Sequence, residues 1–279
     1  ILEDYTATDT DSDGDLDGPF AQGSGRYGIR VTGPDAVTGT ITNSGSIGIE
    51  GNDSAGISLE TRLVGSLAQS GTVSVTGDRT VGVGATSVSG NVSITGAVAV
   101  VGEGSVAVRL GDVGGTVALQ GAITSTGYRS TDRLADTARA KLDSDDLRQG
   151  GGAVRITGSV GGGVLLDKPP TDTDTTNTDE DNDGVADASE GTAALVSYGA
   201  APALDLGGDT ASTLGAVGTG ELAYGLVNRG SITGLGVNDG IAAVALRIGQ
   251  AGGGTVTVTN GINNQTGASI VARSYGAQA

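Results

Sequence analysis

Two short stretches of the sequence concentrate carboxylate side chains. Five of the chain's 32 acidic residues lie between Asp9 and Asp17, and eight lie between Asp172 and Glu190. Two carboxylates ~4 Å apart repel each other by up to ~4 kcal/mol at an effective dielectric constant of 20. Five or six carboxylates that converge on one turn therefore require a cation, and their hard oxygen ligands suit Ca²⁺. The sequence predicts calcium as the one cofactor of this chain.

The second stretch has the residue order of a twelve-residue EF-hand calcium loop, with acids at positions 1, 3, 5, 9 and 12 and glycine at position 6. The predicted ligands are Asp179, Asp181, Asp183, the Val185 carbonyl, Asp187 and Glu190. Alternate residues point the same way around the ion, and Gly184 permits the sharp turn. The helices of a true EF-hand are missing on both sides. We therefore expect calcium to rigidify the loop rather than to trigger an opening.

The first stretch is a shorter version of the same loop. Its candidate ligands are Asp9, Asp11, Asp13, Asp15 and Asp17, and Phe20 stands where the closing Glu would be. Asp15, Asp17 or a carboxylate from a neighbouring coil has to supply the missing ligand, and calcium affinity should be weaker if none does. The alternative for both stretches is a solvated acidic loop that only aids solubility.

The composition excludes large parts of chemistry. The 279 residues include no Cys, His, Met or Trp, which excludes disulfides, thiolate or imidazole metal sites and His-activated nucleophiles. A net charge of −17 with 15 scattered basic residues argues against a nucleic-acid partner. No apolar run approaches the ~20 residues of a transmembrane helix. Carboxylates outside the acidic stretches are single and mostly at turns, so we predict that the chain is not an enzyme.

A repeat of 25 to 28 residues organises the chain. One strand pattern recurs at residues 27–32, 55–60, 80–85 and 105–110. A second, which alternates apolar and small polar residues, recurs at residues 39–49, 71–77, 90–96 and 115–121. A repeat this short buries its apolar residues only by stacking on the next one. We predict an all-β, right-handed parallel β-helix (a β-solenoid) of about nine coils, rather than a β-sandwich, which lacks a fixed period.

Three inserts interrupt the coils and set the predicted organisation. Residues 1–22 form an acidic calcium-loop insert or entry segment, residues 128–150 a helical insert, and residues 168–191 a second calcium-loop insert. The solenoid coils occupy residues 23–127, 151–167 and 192–279. Helix-favouring residues and apolar positions at Leu134, Ala138 and Leu142 predict a short helix laid on the solenoid. The residues predicted to point inward are Val73, Val75, Val92, Ile94, Val117 and Leu119.

The coil sequences ITNSGSIG (41–48) and VNRGSITG (227–234) resemble passenger domains of type V autotransporters. The segments that look like autotransporter proteins of sphingomonad-type alphaproteobacteria are residues 127–129, 142–151, 181–191 and 198–204. The Asp-rich loop is also similar to thrombospondin type 3 repeats. The resemblance implies a parallel β-helix, an extracellular location on a bacterial cell surface, and export through a C-terminal outer-membrane barrel outside this segment. It specifies no catalytic residue.

These observations favour a secreted structural or adhesive stalk segment that is rigidified by calcium. Two alternatives stay open: a self-assembling surface-layer or filament subunit, and a polysaccharide-processing enzyme on the same scaffold. The coils at Ile1 and Ala279 lack polar caps, so we expect them to continue into further coils of the same solenoid. The exposed strand edges of this segment also predict end-to-end self-association.

Overall fold

Short strands of two to nine residues follow one another through the chain. A computed structural model describes residues 2–3, 5–10, 16–180 and 186–276. The first strands are β1 (Tyr27–Val31), β2 (Val37–Thr38), β3 (Ile41–Asn43), β4 (Ser46–Glu50), β5 (Ala55–Leu59), β6 (Leu63–Val64), β7 (Leu67–Gln69), β8 (Thr72–Thr76), β9 (Val81–Val88), β10 (Val92–Ile94), β11 (Ala97–Val101), β12 (Val106–Val113), β13 (Val117–Leu119) and β14 (Ala122–Thr126).

The part of the chain after β14 contains the only α-helix of the described residues, a single turn, α1 (Asp136–Arg139), together with 3₁₀ turns at Asp187–Ser189 and Gly220–Leu222. Its strands are β15 (Gly152–Ile156), β16 (Val164–Leu166), β17 (Ala194–Tyr198), β18 (Leu204–Leu206), β19 (Ser212–Leu214), β20 (Leu226–Asn228), β21 (Ser231–Asp239), β22 (Leu246–Ile248), β23 (Val256–Val258), β24 (Ile262–Asn264) and β25 (Ser269–Tyr275). No helix of the described residues is long and apolar enough to cross a membrane.

Three parallel sheets run the length of the solenoid. The first sheet has the order β1-β5-β9-β12-β15-β18-β22, with β2 and β6 at its side. The second has the order β3-β7-β10-β13-β16-β20-β24, and the third β4-β8-β11-β14-β17-β21-β25. Apart from β2 and β6, which follow β1 and β5 in the first sheet, consecutive strands belong to different sheets, and each coil stacks on the one before. The predicted all-β fold, a parallel β-helix with loop inserts and one short helix, is confirmed.

The number of coils differs from the prediction. The main ladder of each of the three sheets contains seven stacked strands among the described residues, so the solenoid has seven coils there, not about nine. Early coils are regular, since Leu67 pairs with Val92 and Val92 with Val117. Later coils are longer, since Val117 pairs with Val164 and Val164 with Leu226. Residues that resemble further coils instead form side elements, such as the separate two-stranded sheet of β19 and β23.

Ladders of aliphatic side chains fill the interior. All six residues predicted to point inward are buried, with at most 2% of their surface exposed. Alternate residues of a strand point to opposite faces, so the period-two pattern fixes which side chains enter the core. Each fully buried Val, Leu or Ile stabilises the fold by about 1.5–3 kcal/mol relative to an exposed one. Stacking in register therefore holds the coils together without large aromatic residues.

Stacked glycines form one corner of the early coils. A Cβ atom on Gly96 would lie 1.9 Å from the carbonyl oxygen of Gly71, and one on Gly121 would lie 1.9 Å from that of Gly96. Neither space admits a methyl group. The close approach of successive backbones, rather than chain flexibility, explains why glycine recurs there.

The middle insert leaves the solenoid after β14 and returns at β15. Its predicted helix is confirmed, but it is the single turn α1, and Leu134, Ala138 and Leu142 are only half-buried. Two aspartates explain why the helix stops: the Asp143 N–H donates to Asp146 Oδ2 at 3.0 Å, and the Asp145 N–H to Asp143 Oδ1 at 2.9 Å. These backbone N–H groups bond to aspartate side chains instead of to the carbonyls four residues earlier, so they do not extend the helix.

Candidate metal centre

A backbone hydrogen bond closes the first acidic loop. The Asp17 N–H donates to the Thr8 carbonyl at 3.1 Å in an antiparallel bridge. The Thr10 hydroxyl donates to Asp17 Oδ2 at 2.6 Å, and the Thr10 N–H donates to the same oxygen. These contacts hold Asp9 and Asp17, loop positions 1 and 9, at the neck of the loop.

The third insert has the same closure. The Asp187 N–H donates to the Thr178 carbonyl at 2.9 Å. In both loops, therefore, the N–H of position 9 binds the carbonyl of the residue that precedes position 1. The Glu190 N–H then donates to the Asp187 carbonyl at 3.2 Å, which turns position 12 back toward the neck. Two segments far apart in the sequence share this geometry around the same spacing of acids.

The middle insert supports the first loop. The Gly18 N–H donates to Asp145 Oδ2 at 2.9 Å, and Arg129 Nη2 donates to the Gly18 carbonyl at 2.7 Å. The Arg129 guanidinium also lies 4.7 Å from the centre of the Phe20 ring. A carboxylate from another part of the chain thus lies directly beside the end of the loop. The sequence analysis left open where the missing ligand comes from and did not single out Asp145.

The middle insert is itself fixed to the solenoid. The Tyr128 hydroxyl, which is buried, donates to the Gly236 carbonyl at 3.1 Å. Arg133 donates to the Val237 carbonyl at 2.9 Å and to Asp239 Oδ1 at 2.6 Å. All three acceptors belong to β21, two coils beyond β14 in the third sheet. The support of the first loop therefore connects to the rigid core.

Carboxyl groups are crowded in both regions. The side-chain contact with Glu180 raises the pKa of Asp187 to about 6, while the same contact lowers the pKa of Glu180. In the middle insert the contact with Asp143 lowers the pKa of Asp145. Two contacts with Asp145 act on Asp143 in opposite directions. The Asp145 N–H lowers the pKa of Asp143, whereas the Asp145 carboxyl raises it, and the pKa of Asp143 is raised overall. In each pair one carboxyl holds a proton more readily because its neighbour is ionised.

The predicted ligands divide into two groups. The structure describes Asp9, Asp17, Asp179, Asp187 and Glu190. The other predicted ligands, which lie outside the described residues, are Asp11, Asp13, Asp15, Asp181, Asp183 and Val185. Among the residues that are described, no three His, Cys, Asp or Glu side chains come together as a metal site. The donor type fits a hard cation, and the two calcium sites stay predictions.

Carboxylates in and beside the first sheet have a different environment from those of the loops. Asp53 accepts two hydrogen bonds from Arg79 at 2.7 and 2.8 Å, and Glu60 accepts two from Arg30 at 2.8 and 3.0 Å. Asp205, only 6% exposed, accepts two from Arg247 at 2.7 and 2.8 Å. These bidentate pairs join neighbouring coils.

Comparison with models of protein families, with curated proteins and with solved structures gives no match to this chain. The resemblance to autotransporter passengers and to thrombospondin type 3 repeats therefore rests on the sequence motifs alone.

Proposed function

We propose that this chain is an extracellular structural or adhesive β-solenoid stalk segment of a bacterial surface protein, rigidified by calcium in its acidic inserts. The closure that the two loops share carries the calcium part of the proposal. In each loop the position-9 N–H binds the carbonyl before position 1, at 3.1 Å in the first insert and 2.9 Å in the third. A loop that only aids solubility would not require the same backbone hydrogen bond between the same two loop positions in both inserts.

The neck suits the coordination chemistry of calcium. Ca²⁺ takes six to eight oxygen ligands at 2.3–2.6 Å, and most of them come from alternate residues of one loop. Joining positions 1 and 9 lets the residues between them curl around one centre. We assign the first ion to Asp9, Asp11 and Asp13, and the second to the six ligands predicted between Asp179 and Glu190.

Asp145 completes the first site in this proposal. Its carboxylate accepts the Gly18 N–H, immediately after loop position 9. The first loop lacks the glutamate that closes the third, and a carboxylate from the middle insert can supply the equivalent charge. A calcium ion shared in this way would join two inserts whose contact residues are 127 positions apart.

The stalk interpretation, rather than an enzyme, is supported by the arginine partners of the sheet carboxylates. A hydrolase needs two carboxyl groups that face a substrate, one of them protonated. Asp53 and Glu60 each form bidentate pairs with arginine, and the pairing lowers the pKa of both groups. Such groups are poor general acids. The cell-surface location and the outer-membrane barrel outside this segment are proposed from the motifs at 41–48 and 227–234.

Calorimetric titration of the metal-free chain with CaCl₂ tests the calcium part. We expect two sites, and Asp187→Asn should weaken one of them about tenfold or more because it removes a charged ligand but keeps the backbone N–H of the neck. Asp35→Asn, an equal charge change at an exposed residue outside the inserts, should leave both sites intact. Absence of any site tighter than millimolar would contradict the proposal.

Electron cryotomography of cells that express the full-length protein tests the location. We expect rods that project from the outer surface and carry a label inserted in this segment. Recovery of the labelled segment inside the cell would contradict the surface assignment while leaving calcium binding untouched.

A further inference from the structure

A column of arginines runs across the outer face of the first sheet. The register aligns one residue from each of its seven strands: Arg30, Ser58, Gly84, Arg109, Arg155, Asp205 and Arg247. Neighbouring positions of such a ladder are about 4.8 Å apart. Four of the chain's 15 basic residues thus share one line on one face. In a chain with a net charge of −17, this face is distinctive.

An open groove of about 600 Å³ lies along the middle of this column. Its charged lining consists of three arginines and two carboxylates: Arg79, Arg109, Arg155, Asp53 and Glu60. The floor includes small residues such as Gly84, Ala85 and Gly111, and hydroxyl groups line it at Ser58, Thr86 and Thr157. The volume falls within the range of small-molecule sites in proteins.

The two carboxylates of the groove are already neutralised. Asp53 pairs with Arg79, and Glu60 pairs with Arg30. Arg155 lies 3.5 Å from Asp205, whose oxygens also receive both hydrogen bonds from Arg247. Of the three arginines that line the groove, one is left without a carboxylate partner among the described residues, and its positive charge is not neutralised.

Arg109 is that arginine. It is exposed, and within the described part of the chain its side chain forms no hydrogen bond or ion pair. In the ladder it stands between Gly84 and Arg155. Like charges directly opposite each other on adjacent strands destabilise a sheet. A purely structural ladder would place an acid or a neutral residue beside Arg155, so the pair indicates a site for an anion.

Gly84 keeps the groove open beside Arg109. Its backbone does not adopt the left-handed conformation that favours glycine. A Cβ atom would meet Val81 Cγ1 at 3.1 Å and no other atom closer than 3.7 Å, so a small shift of one side chain would admit it. Packing alone thus does not demand glycine at this position. A side chain there would instead occupy the space in front of Arg109.

We propose that this groove binds an acidic oligosaccharide, a chain of sugars that carry carboxylates. Arg109 and Arg155 present two guanidinium groups one coil apart, and guanidinium binds carboxylate in a bidentate fashion. The hydroxyls of Ser58, Thr86 and Thr157 already donate within the protein, so their oxygens are left to accept hydrogen bonds from the hydroxyls of sugar rings. The site is independent of the calcium loops and of the stalk role.

The groove does not suit other polyanions as well. A peptide that binds by strand addition needs a free sheet edge, but β9 and β12 are paired on both sides. The small residues of the floor offer no pocket for the aromatic or arginine anchors of a protein partner. A single-stranded nucleic acid needs aromatic side chains on which its bases stack, but the one aromatic residue in the described lining, Tyr27, is already covered by the Arg30 guanidinium at 4.2 Å.

Calorimetry in EDTA at low ionic strength tests the proposal, because chelation removes any calcium that would bridge the acidic loops to an acidic sugar. The probe is a hexamer of galacturonic acid, and a neutral glucose hexamer is its control. We expect binding of the acidic hexamer only. Arg109→Ala should weaken it about tenfold or more, since hydrogen bonds to charged groups are among the strongest.

Arg62→Ala is the matched control variant, because Arg62 is exposed, carries the same charge and does not line the groove. It should bind the acidic hexamer like the parent chain. Gly84→Phe should block binding by filling the groove, and thermal unfolding of all three variants checks that they fold. No binding of the acidic hexamer by the parent chain overturns the proposal, as does an equal loss in Arg62→Ala. Equal affinity for a thymidine hexanucleotide or a glutamate hexapeptide overturns the saccharide assignment.

Discussion

The two acidic loops have the same neck but different surroundings. Beside the first loop, Gly18 is held on both sides, by Asp145 through its N–H and by Arg129 through its carbonyl. In the third insert, the backbone N–H groups of Thr173, Asp174 and Glu180 bond to carboxylates of the same insert. The comparison shows that one local motif can be stabilised either by a second insert or by its own residues. Calcium should therefore contribute differently to the order of each loop.

Removal of calcium should have the largest effect, and it should fall on the third insert. An ion present at 100 times its dissociation constant stabilises a loop by about 2.7 kcal/mol, which corresponds to roughly 100-fold slower hydrogen exchange. We expect chelation to abolish the protection of residues 173–190, while residues 16–20 keep part of theirs through Arg129 and Asp145. Hydrogen exchange with mass spectrometry measures both. Strand β10 is the internal control, and equal loss in both loops would remove the distinction.

Asp145 should distinguish the two sites in a calcium titration. Asp145→Asn keeps an oxygen that accepts the Gly18 N–H but removes the charge, so we expect about tenfold weaker calcium binding at the first site. The third site should not change. Asp132→Asn, an equal substitution at an exposed residue of the same insert, is the control. An unchanged first site would show that the loop finds its ligands without the middle insert.

Arg129 should matter for the first loop even when calcium is present. Arg129→Ala removes the donor to the Gly18 carbonyl and the contact with the Phe20 ring. We expect the local opening free energy around residues 16–20 to fall by about 1.5–3 kcal/mol, the usual contribution of a hydrogen bond that involves a charged group. Exchange rates in the third insert serve as the reference. A parallel change there would point to a global loss of stability instead.

The smallest effect should appear in alkaline solution. Burial raises the pKa of Tyr128 to about 12 from an ordinary value of 10.0. Its neutral form is favoured in the folded state, so its contribution to stability is complete below pH 10 and is lost as pH rises toward 12. Because Tyr128 anchors the middle insert, the first loop should loosen in this range before the third. Absorbance of tyrosinate should show a late step that Tyr128→Phe removes; a step that persists would contradict the assignment.

The sequence predicts the solenoid well because its signals are local. Val73, Val75, Val92 and Ile94 alternate with small polar residues, and that alternation alone decides which side chains are buried. The coil count was wrong because the later coils are longer than the early repeat: Leu226 pairs with Ile262, 36 residues on. Residues 212–214 and 256–258 belong to these longer coils and pair with each other at the side of the first sheet. Composition does not tell a strand in a main sheet from one beside it.

The surroundings of the loops could not be predicted for a different reason. Asp145 and Gly18 are 127 residues apart, and their contact depends on how two inserts leave the solenoid. The pairing of Arg109 with Arg155 likewise depends on the length of the middle insert, which shifts the regular spacing. In the middle insert, the three aspartates at 143, 145 and 146 show that acids are crowded there, but the sequence does not show that Gly18 is their partner. All the calcium ligands, inside and outside the described residues, stay predictions.

The coils differ in length, and this indicates how the solenoid would respond to longer or shorter inserts between its strands. Val117 and Val164 are in register although the chain between them contains the whole middle insert, and Val164 and Leu226 are in register across the third. The entropy lost in closing a flexible segment grows only with the logarithm of its length, so that doubling the segment costs about 0.6 kcal/mol. A core held by neighbouring coils can therefore accept a longer, shorter or foreign segment between two strands without altering its own register. Exchange of the residues between Leu166 and Ala194 for an unrelated loop should leave β16 and β17 in place, which makes the solenoid a scaffold for grafted segments.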